Sequence, residues 1–523
     1  KKIQENFSKK YNVISNSFEN LEQKNIFIIV PERINNELLD KIKTVNIDLL
    51  IFDEIYKLKR EEKANLDKRI IALNKGYFDM VNRANQVFLL GPFIKDLNFN
   101  RTHLTTNITK YFSDFAPVYI KNIYKNLNKE KFVLSELKNN NNKLVYFKTP
   151  NSIFNFCNTN DIVTSKSIIN SLTKWCDKYI SDKWIPSIML KRGIGVHYGS
   201  IPAFIRQYIE FLYNSKLIKN ILCTSTLLEG VNTPTNELII YDSDKLSAFE
   251  VNNLIGRVGR LDTFQEGKIY YFDKNIEEYI LGEGKYETIE IVAEDDNIQY
   301  IEELLYLQKE DNNLSKEQKE ILEILSNKLS IYNKNVSDLK NTDGFVIKEL
   351  IRFLDSIPEL LKLLSVLLND KNSDDPKLKR KTTNDRNEII KLFMKIIPCK
   401  SHYVNMINIG LNNERKVSSS FCVNNLLAKN TTNVYSKINK LIDSTYERIG
   451  NQKINIFIDF LFYLSFSYIK YDLSKIVKYC NFIFDEKYMN TIDNQNIKLI
   501  TILKTEILSR FEMFNSDNNK YST

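Results

Sequence analysis

Apolar positions in the first half of the chain come in short, near-continuous runs. Asn25–Val30, Ile47 with Leu49–Phe52, Asn85–Leu90, Leu144–Lys148, Asn220–Cys223, Leu238–Tyr241 and Lys268–Phe272 are the clearest. Runs of this length, rich in aliphatic and aromatic residues, fit parallel strands covered on both faces. Helices are expected near Asn35–Lys43 and over the FIRQYIEFLY segment that follows Pro202. Beyond about Thr288 the pattern changes. Apolar residues recur at three- and four-residue spacing, as in Leu350-Ile351-Leu354, Leu360-Leu361-Leu364-Leu367-Leu368 and Ile389-Ile390-Phe393-Ile396, which is the helical period. The expected fold class is α/β followed by a mostly α-helical C-terminal region.

The polar run Asn139–Lys143 reads as an inter-domain linker, so the expected domains are 1–138, 139–287 and 288–523. Lys371–Thr383, polar, basic and proline-containing, reads as a surface loop. The aromatics of Phe457–Tyr471 read as the apolar face of a core helix.

Length and composition narrow the class. A chain of 523 residues exceeds one core, and 43% hydrophobic with 27% charged residues describes a soluble globular protein. The net charge of +9 is compatible with a nucleic-acid partner. Six scattered cysteines without a CxxC pair, and three histidines, argue against a disulfide framework or a zinc site and for a reducing cytoplasm. No apolar run approaches the roughly 18 residues of a membrane span. The chain starts at Lys1 without an initiator Met, and a longer full protein is expected.

Glycine points to the chemistry. Nine of the 14 glycines lie between Gly193 and Gly284, although glycine is needed mainly where backbone turns tightly or approaches a ligand. Within that segment Gly256-Arg257-Val258-Gly259-Arg260 places two arginines three apart, on one face if helical, beside two positions that lack side chains. Two guanidiniums on such a surface suit a polyphosphate. Upstream, IDLLIFDEIY delivers Asp53 and Glu54 to a strand's carboxyl end, where open α/β sheets bind ligands. Asp53 is the expected Mg²⁺ holder, and Glu54 the group that orients or deprotonates an attacking water.

Ile221–Arg260 resembles motifs V and VI of superfamily-two helicases of the Ski-like DExH branch. That branch reads aTSTLaxGVNlPa and then QxxGRxGR; the present text is CTSTLLEGVNTPT and NLIGRVGR, with Asn253 in the place of Gln. Pro31-Glu32-Arg33 resembles motif Ib, Asp53-Glu54-Ile55-Tyr56 the DExH tetrad and Leu144–Lys148 motif IV. His197, Gly199, Pro202 and Arg206 match the HHAGLLPxxR segment. The resemblance covers about Phe27–Phe272.

It implies two RecA-like lobes, the first incomplete, that hydrolyse ATP between them with Mg²⁺ and so step along a single strand, with 3′-to-5′ polarity. Asp53, Glu54, Arg257 and Arg260 would be catalytic. Gly230, Asn232, Asn253 and Gly256 would support the nucleotide, and Pro31, Glu32, Arg33, His197, Arg206, Thr224 and Ser225 would hold the strand. The partner would be single-stranded or partly duplex nucleic acid, DNA before RNA, with room for a protein subunit. Relatives process RNA, repair DNA or serve bacterial antiphage defence, as helicases of the Hachiman type do; the composition favours bacterial defence or repair.

Three departures stand out. Tyr56 replaces the tetrad's histidine, and Gly91-Pro92-Phe93 stands where the family has Ser-Ala-Thr. No GxxxxGK[ST] phosphate cradle is present: Asp262 and Tyr279 occupy the first-glycine position ahead of Gly267-Lys268 and Gly284-Lys285. This chain alone should therefore bind ATP poorly and hydrolyse none. The alternative to a motor is a catalytically inactive nucleic-acid-binding scaffold with a helicase fold.

Overall fold

The computed structural model describes residues 6–15, 20–30, 42, 45–58, 77, 80–81, 83–92, 94–100, 109, 111, 119–139, 141–162, 171–228, 235–244, 246–256, 258–259, 266–281, 287–292, 301, 304, 316–342, 344–371, 376–399, 418–428, 433–449 and 453–519. Among them the strands are β1 (Asn12–Ile14), β2 (Asn25–Phe27), β3 (Ile47–Phe52), β4 (Ala84–Leu89), β5 (Ile94–Asn100), β6 (Tyr119–Tyr124), β7 (Lys143–Tyr146), β8 (Ile194–His197), β9 (Asn220–Cys223), β10 (Glu237–Ile240), β11 (Glu266–Tyr271) and β12 (Glu287–Val292). The helices that matter below are α1 (Pro150–Thr159), α2 (Ser171–Tyr179), α3 (Ile185–Lys191), α4 (Ala203–Asn214), α5 (Ala248–Ile255), α6 (Asn275–Leu281), α7 (Ile347–Lys371), α8 (Pro376–Ile396), α9 (Val434–Ile449) and α10 (Ile454–Tyr463). The chain is α/β with a mostly helical C-terminal region, as expected. It divides into two compact units: Lys1–Ala116 with Lys245–Gly256 and Asp273–Asp295, and Pro117–Asp244 with Arg257–Phe272 and Asp296–Thr523.

The first unit contains three parallel pairs, β1–β2, β3–β4 and β5–β12. Beneath β3 and β4 lie buried Ile55, Leu58, Tyr77 and Val81, packed by Leu50, Phe52, Val87 and Leu89. The alternate residues point the other way. Leu49 is 47% exposed, Ile51 57% and Phe88 55%, so this sheet is covered on one face and not on two as expected. A continuous apolar run cannot tell these cases apart, because strand side chains alternate between faces whatever covers them. β12 is a strand at the start of the text expected to be mostly helical: Thr288, Ile289, Ile291 and Val292 are β-branched and pair with β5. The helix expected at Asn35–Lys43 lies outside the described residues apart from helical Ile42.

The second unit is built on a six-stranded, wholly parallel sheet in the order β6-β11-β10-β7-β9-β8. All four residues of β7, β9 and β10 are buried, as their apolar runs predict, and so are all four of β8. The polar run Asn139–Lys143 is not a free linker. Lys143 begins β7 with no exposed surface, 3.3 Å from Glu237 on β10, and Asn141 donates to that same carboxylate at 2.7 Å. A buried ammonium is tolerable only when paired in this way. β6, ahead of this run, completes the sheet's edge against β11.

In the helical region, α7 buries Leu350, Phe353, Leu354, Ile357, Leu360, Leu364 and Leu367, at the expected three- and four-residue spacing. The expected loop over Lys371–Thr383 is largely helix instead. Pro376 opens α8, where its missing N–H costs nothing, and the Lys- and Arg-rich text that follows favours helix. α10 is buried at every position except Ile456, and the apolar residues after it, Leu464, Tyr468 and Ile469, are core as well. No helix among the described residues is long and apolar enough to cross a membrane.

Candidate functional site

In the first unit Asp53 and Glu54 directly follow β3, at its carboxyl end. Asp53 is exposed, and its Oδ1 accepts the Glu54 N–H at 2.8 Å. Glu54 has φ of 56°, the left-handed region that residues with a Cβ rarely occupy. Its carboxylate is engaged at both oxygens: Tyr56 Oη donates to Oε1 at 3.1 Å and Lys57 Nζ to Oε2. Backbone ties fix the tetrad to the end of the neighbouring strand. Leu90 N–H donates to Phe52 O at 2.9 Å, and Ile55 N–H to Leu90 O at 3.0 Å. Gly91 then leaves no space for a side chain, since a Cβ there would lie 2.4 Å from Ile94 Cδ1.

α5 belongs to this same unit. Ser247 and Glu250 cap its start reciprocally, and buried Asn252 donates to Tyr279 O on α6 at 3.0 Å. Asn253 is half-buried on α5, and exposed Gly256 ends the helix. Phe249 on the first turn meets the Tyr56 ring edge-on, with centroids 4.7 Å apart. Thus the Asp-Glu tetrad and the helix that leads into Gly256-Arg257 are packed together. The GRVGR segment does not continue as helix: Gly259 has φ of 64° and donates its N–H to Thr235 O at 3.0 Å. α5 itself ends at Ile255.

In the second unit the expected strand-contact residues fall into buried and exposed sets. His197, last residue of β8, is only 1% exposed, with Nε2 3.0 Å from Glu210 Oε1 on α4. Burial first, and the charge of Arg206 second, push its pKa down to about 4, so the ring is neutral and the contact is a hydrogen bond without ionic character. Arg206, half-buried, shares α4 with Glu210 one turn away; burial raises the Glu210 carboxyl and the arginine opposes that. His197 is thus a buried hydrogen-bonding group at the sheet's end. Thr224 is buried and donates its N–H to His197 O at 3.1 Å, whereas Ser225 is exposed at the end of β9. Gly199 allows the close approach of this segment, since a Cβ would sit 3.2 Å from Thr226 Cγ2.

Sequence reasoning missed the anchor behind this segment. Tyr198 Oη donates to Asp459 Oδ1 on α10 at 2.8 Å, Ser200 hydrogen-bonds the same carboxyl, and Asn455 accepts the Ile185 N–H at 2.7 Å. A lone Asp and a lone Asn within an aromatic helix were the signal, since polar groups in such a run need buried partners. Pro31, Glu32, Arg33, Gly230, Asn232, Arg257 and Arg260 lie outside the described residues.

No family model matches the chain. Anti-bacteriophage protein B of Escherichia coli (strain K12) is 26% identical over 302 residues, 52% of this chain and 39% of that protein. ATP-dependent DNA helicase Hel308 of Methanococcus vannielii is 25% identical over 291 residues, 48% of this chain and 38% of the relative. Hachiman protein HamB of Bacillus cereus is 39% identical over 105 residues, 19% of this chain and 9% of the relative. The chain thus spans about two-fifths of the length of the first two relatives. These likenesses define the chain as a homologue of nucleic-acid helicases. Within that class its homologues are DExH proteins of superfamily two.

Proposed function

We propose that this chain is the motor segment of an ATP-dependent helicase or translocase that moves along a single nucleic-acid strand. One observation carries the reading: the Asp53-Glu54 tetrad at the carboxyl end of β3 packs, through Tyr56 and Phe249, on the helix that runs into Gly256-Arg257. Acidic groups for metal and water, and a helix end leading to arginines, are the parts that nucleotide hydrolysis requires.

Asp53 fits a hard divalent cation, because its carboxylate is exposed and one oxygen carries only a backbone N–H. Bound Mg²⁺ would screen phosphate charge there. Glu54 would orient the attacking water, and Arg257 and Arg260 would neutralise charge developing on the γ-phosphate. Gly230, Asn232, Asn253 and Gly256 would support the nucleotide. Ser225, with Thr224, Arg206 and Pro31, Glu32 and Arg33, would hold strand phosphates, which carry no sequence information. His197 acts only from behind. The names of two relatives, Anti-bacteriophage protein B and Hachiman protein HamB, favour a role in defence against phage; Hel308 favours DNA as the track.

A second reading, a nucleic-acid-binding scaffold without turnover, draws on the absence of a GxxxxGK[ST] pattern from these 523 residues. Unwinding decides between them. The full-length gene product should displace a strand from a duplex bearing a single-stranded tail only when ATP and Mg²⁺ are present. Tight tail binding with no ATP-dependent displacement on 3′ or 5′ tails would support the scaffold.

A further inference from the structure

We propose that Tyr56 is a positioning residue that latches Glu54 in a resting pose and releases it when α5 shifts. The proposal rests on the motor reading, in which Glu54 serves the attacking water. Three observations carry it. Glu54 holds a left-handed φ of 56°, a conformation that persists only where its surroundings fix it. Its two carboxylate oxygens are each engaged, by Tyr56 Oη and by Lys57 Nζ, so the carboxylate is held in one pose with two of its acceptor sites taken. The Tyr56 ring rests edge-on against Phe249 at an interplanar angle of 62°.

Phe249 is part of a rigid element. The reciprocal Ser247–Glu250 cap holds the start of α5, and Asn252 fastens its middle to α6. Movement of the helix that leads into Gly256-Arg257 must carry Phe249 with it. Displacing Phe249 removes the surface that keeps the tyrosine in hydrogen-bonding reach of Glu54. The ring is the lever and the hydroxyl is the catch. A plain packing role for Tyr56 would need the ring alone, so the phenol oxygen separates the two explanations.

The test uses the full-length gene product, with ATP turnover measured with and without a single-stranded oligonucleotide. Tyr56→Phe keeps the ring and removes the catch; Phe249→Ala removes the lever's seat. Both should raise strand-free kcat by roughly ten- to a hundredfold, the weight of one hydrogen bond to a charged group, while leaving KM for ATP near wild type. The double variant should do no more than either alone. Strand-free kcat that is unchanged or lowered in Tyr56→Phe would overturn the latch. A separate arm does not depend on turnover: a double-mutant cycle of Tyr56→Phe with Glu54→Ala, which removes the acceptor, read by urea unfolding. Coupled costs support the contact and additive costs overturn it, even if a silent wild-type enzyme has already sunk the motor reading.

Discussion

Tyr198 and Asp459, 261 positions apart in the sequence, share a buried hydrogen bond of 2.8 Å. It joins the turn after β8, in the segment that resembles a helicase strand-contact motif, to α10 of the helical region. Asp459 is an acid in an aromatic environment. Burial pushes its pKa up to about 8, with the Tyr198 and Ser200 hydrogen bonds pulling the other way. In the unfolded chain it ionises in the usual carboxylate range. The folded state therefore keeps a proton that the unfolded state loses as pH rises past about 4, and this contribution to stability is lost progressively up to about pH 8. Asp459→Asn removes the titration and leaves an acceptor for Tyr198. The stability of Asp459→Asn relative to wild type, from urea unfolding, should grow between pH 5 and pH 8 and level off above. A difference that stays constant across that range would contradict the assignment.

His197 should act with the opposite sign. Its pKa is pushed down to about 4 by burial, below the unfolded value of 6.5. The folded state refuses a proton that the unfolded state takes up, so this contribution is complete above about pH 6.5 and is lost as pH falls toward 4. His197→Gln, which can still hydrogen-bond Glu210, should flatten the acid limb of the wild-type stability profile while changing strand binding at neutral pH less than Ser225→Ala does. Equal or greater loss of strand affinity in His197→Gln would return His197 to the contact surface.

The two glycines of GRVGR carry different constraints. Gly259 has φ of 64°, so Gly259→Ala should cost roughly 1–2 kcal/mol in unfolding free energy. Gly256 has φ of −61° and a Cβ there would meet nothing closer than 3.6 Å. Gly256→Ala should change stability by less than about 0.5 kcal/mol, so any loss of ATP binding in that variant would report on the ligand and not on the fold. Matched stability losses in the two variants would refute this distinction.

Much of this architecture was legible in the sequence. β3, β4, β7, β9, β10 and β11 lie within a residue or two of their apolar runs, and the helical period beyond Leu350 marks α7 and α8. What could not be read depends on partners far away in sequence. Leu49 and Ile51 look like Leu50 and Phe52 in the text, yet only the second pair is covered. Lys143 looks like linker lysine until Glu237 arrives beside it. His197 looked like a strand-contact residue, but it is buried against Glu210 on the helix that follows its strand. The Asp53-Glu54 pair was visible from its place at the strand end. The way Tyr56 engages Glu54 was not, because it depends on rotamers and on the placement of Phe249.

ATP turnover by the full-length gene product is the most direct test of the central claim, measured with single-stranded DNA, with single-stranded RNA and with neither, beside Glu54→Gln and Arg260→Ala. The motor account predicts hydrolysis stimulated by one of the two strands and reduced by about a hundredfold or more in each variant, the scale seen when a group acting on the transferring phosphoryl is removed. Strand binding that is intact and salt-sensitive, with no hydrolysis above background in the wild-type protein, would contradict it and leave a scaffold that has kept a helicase fold.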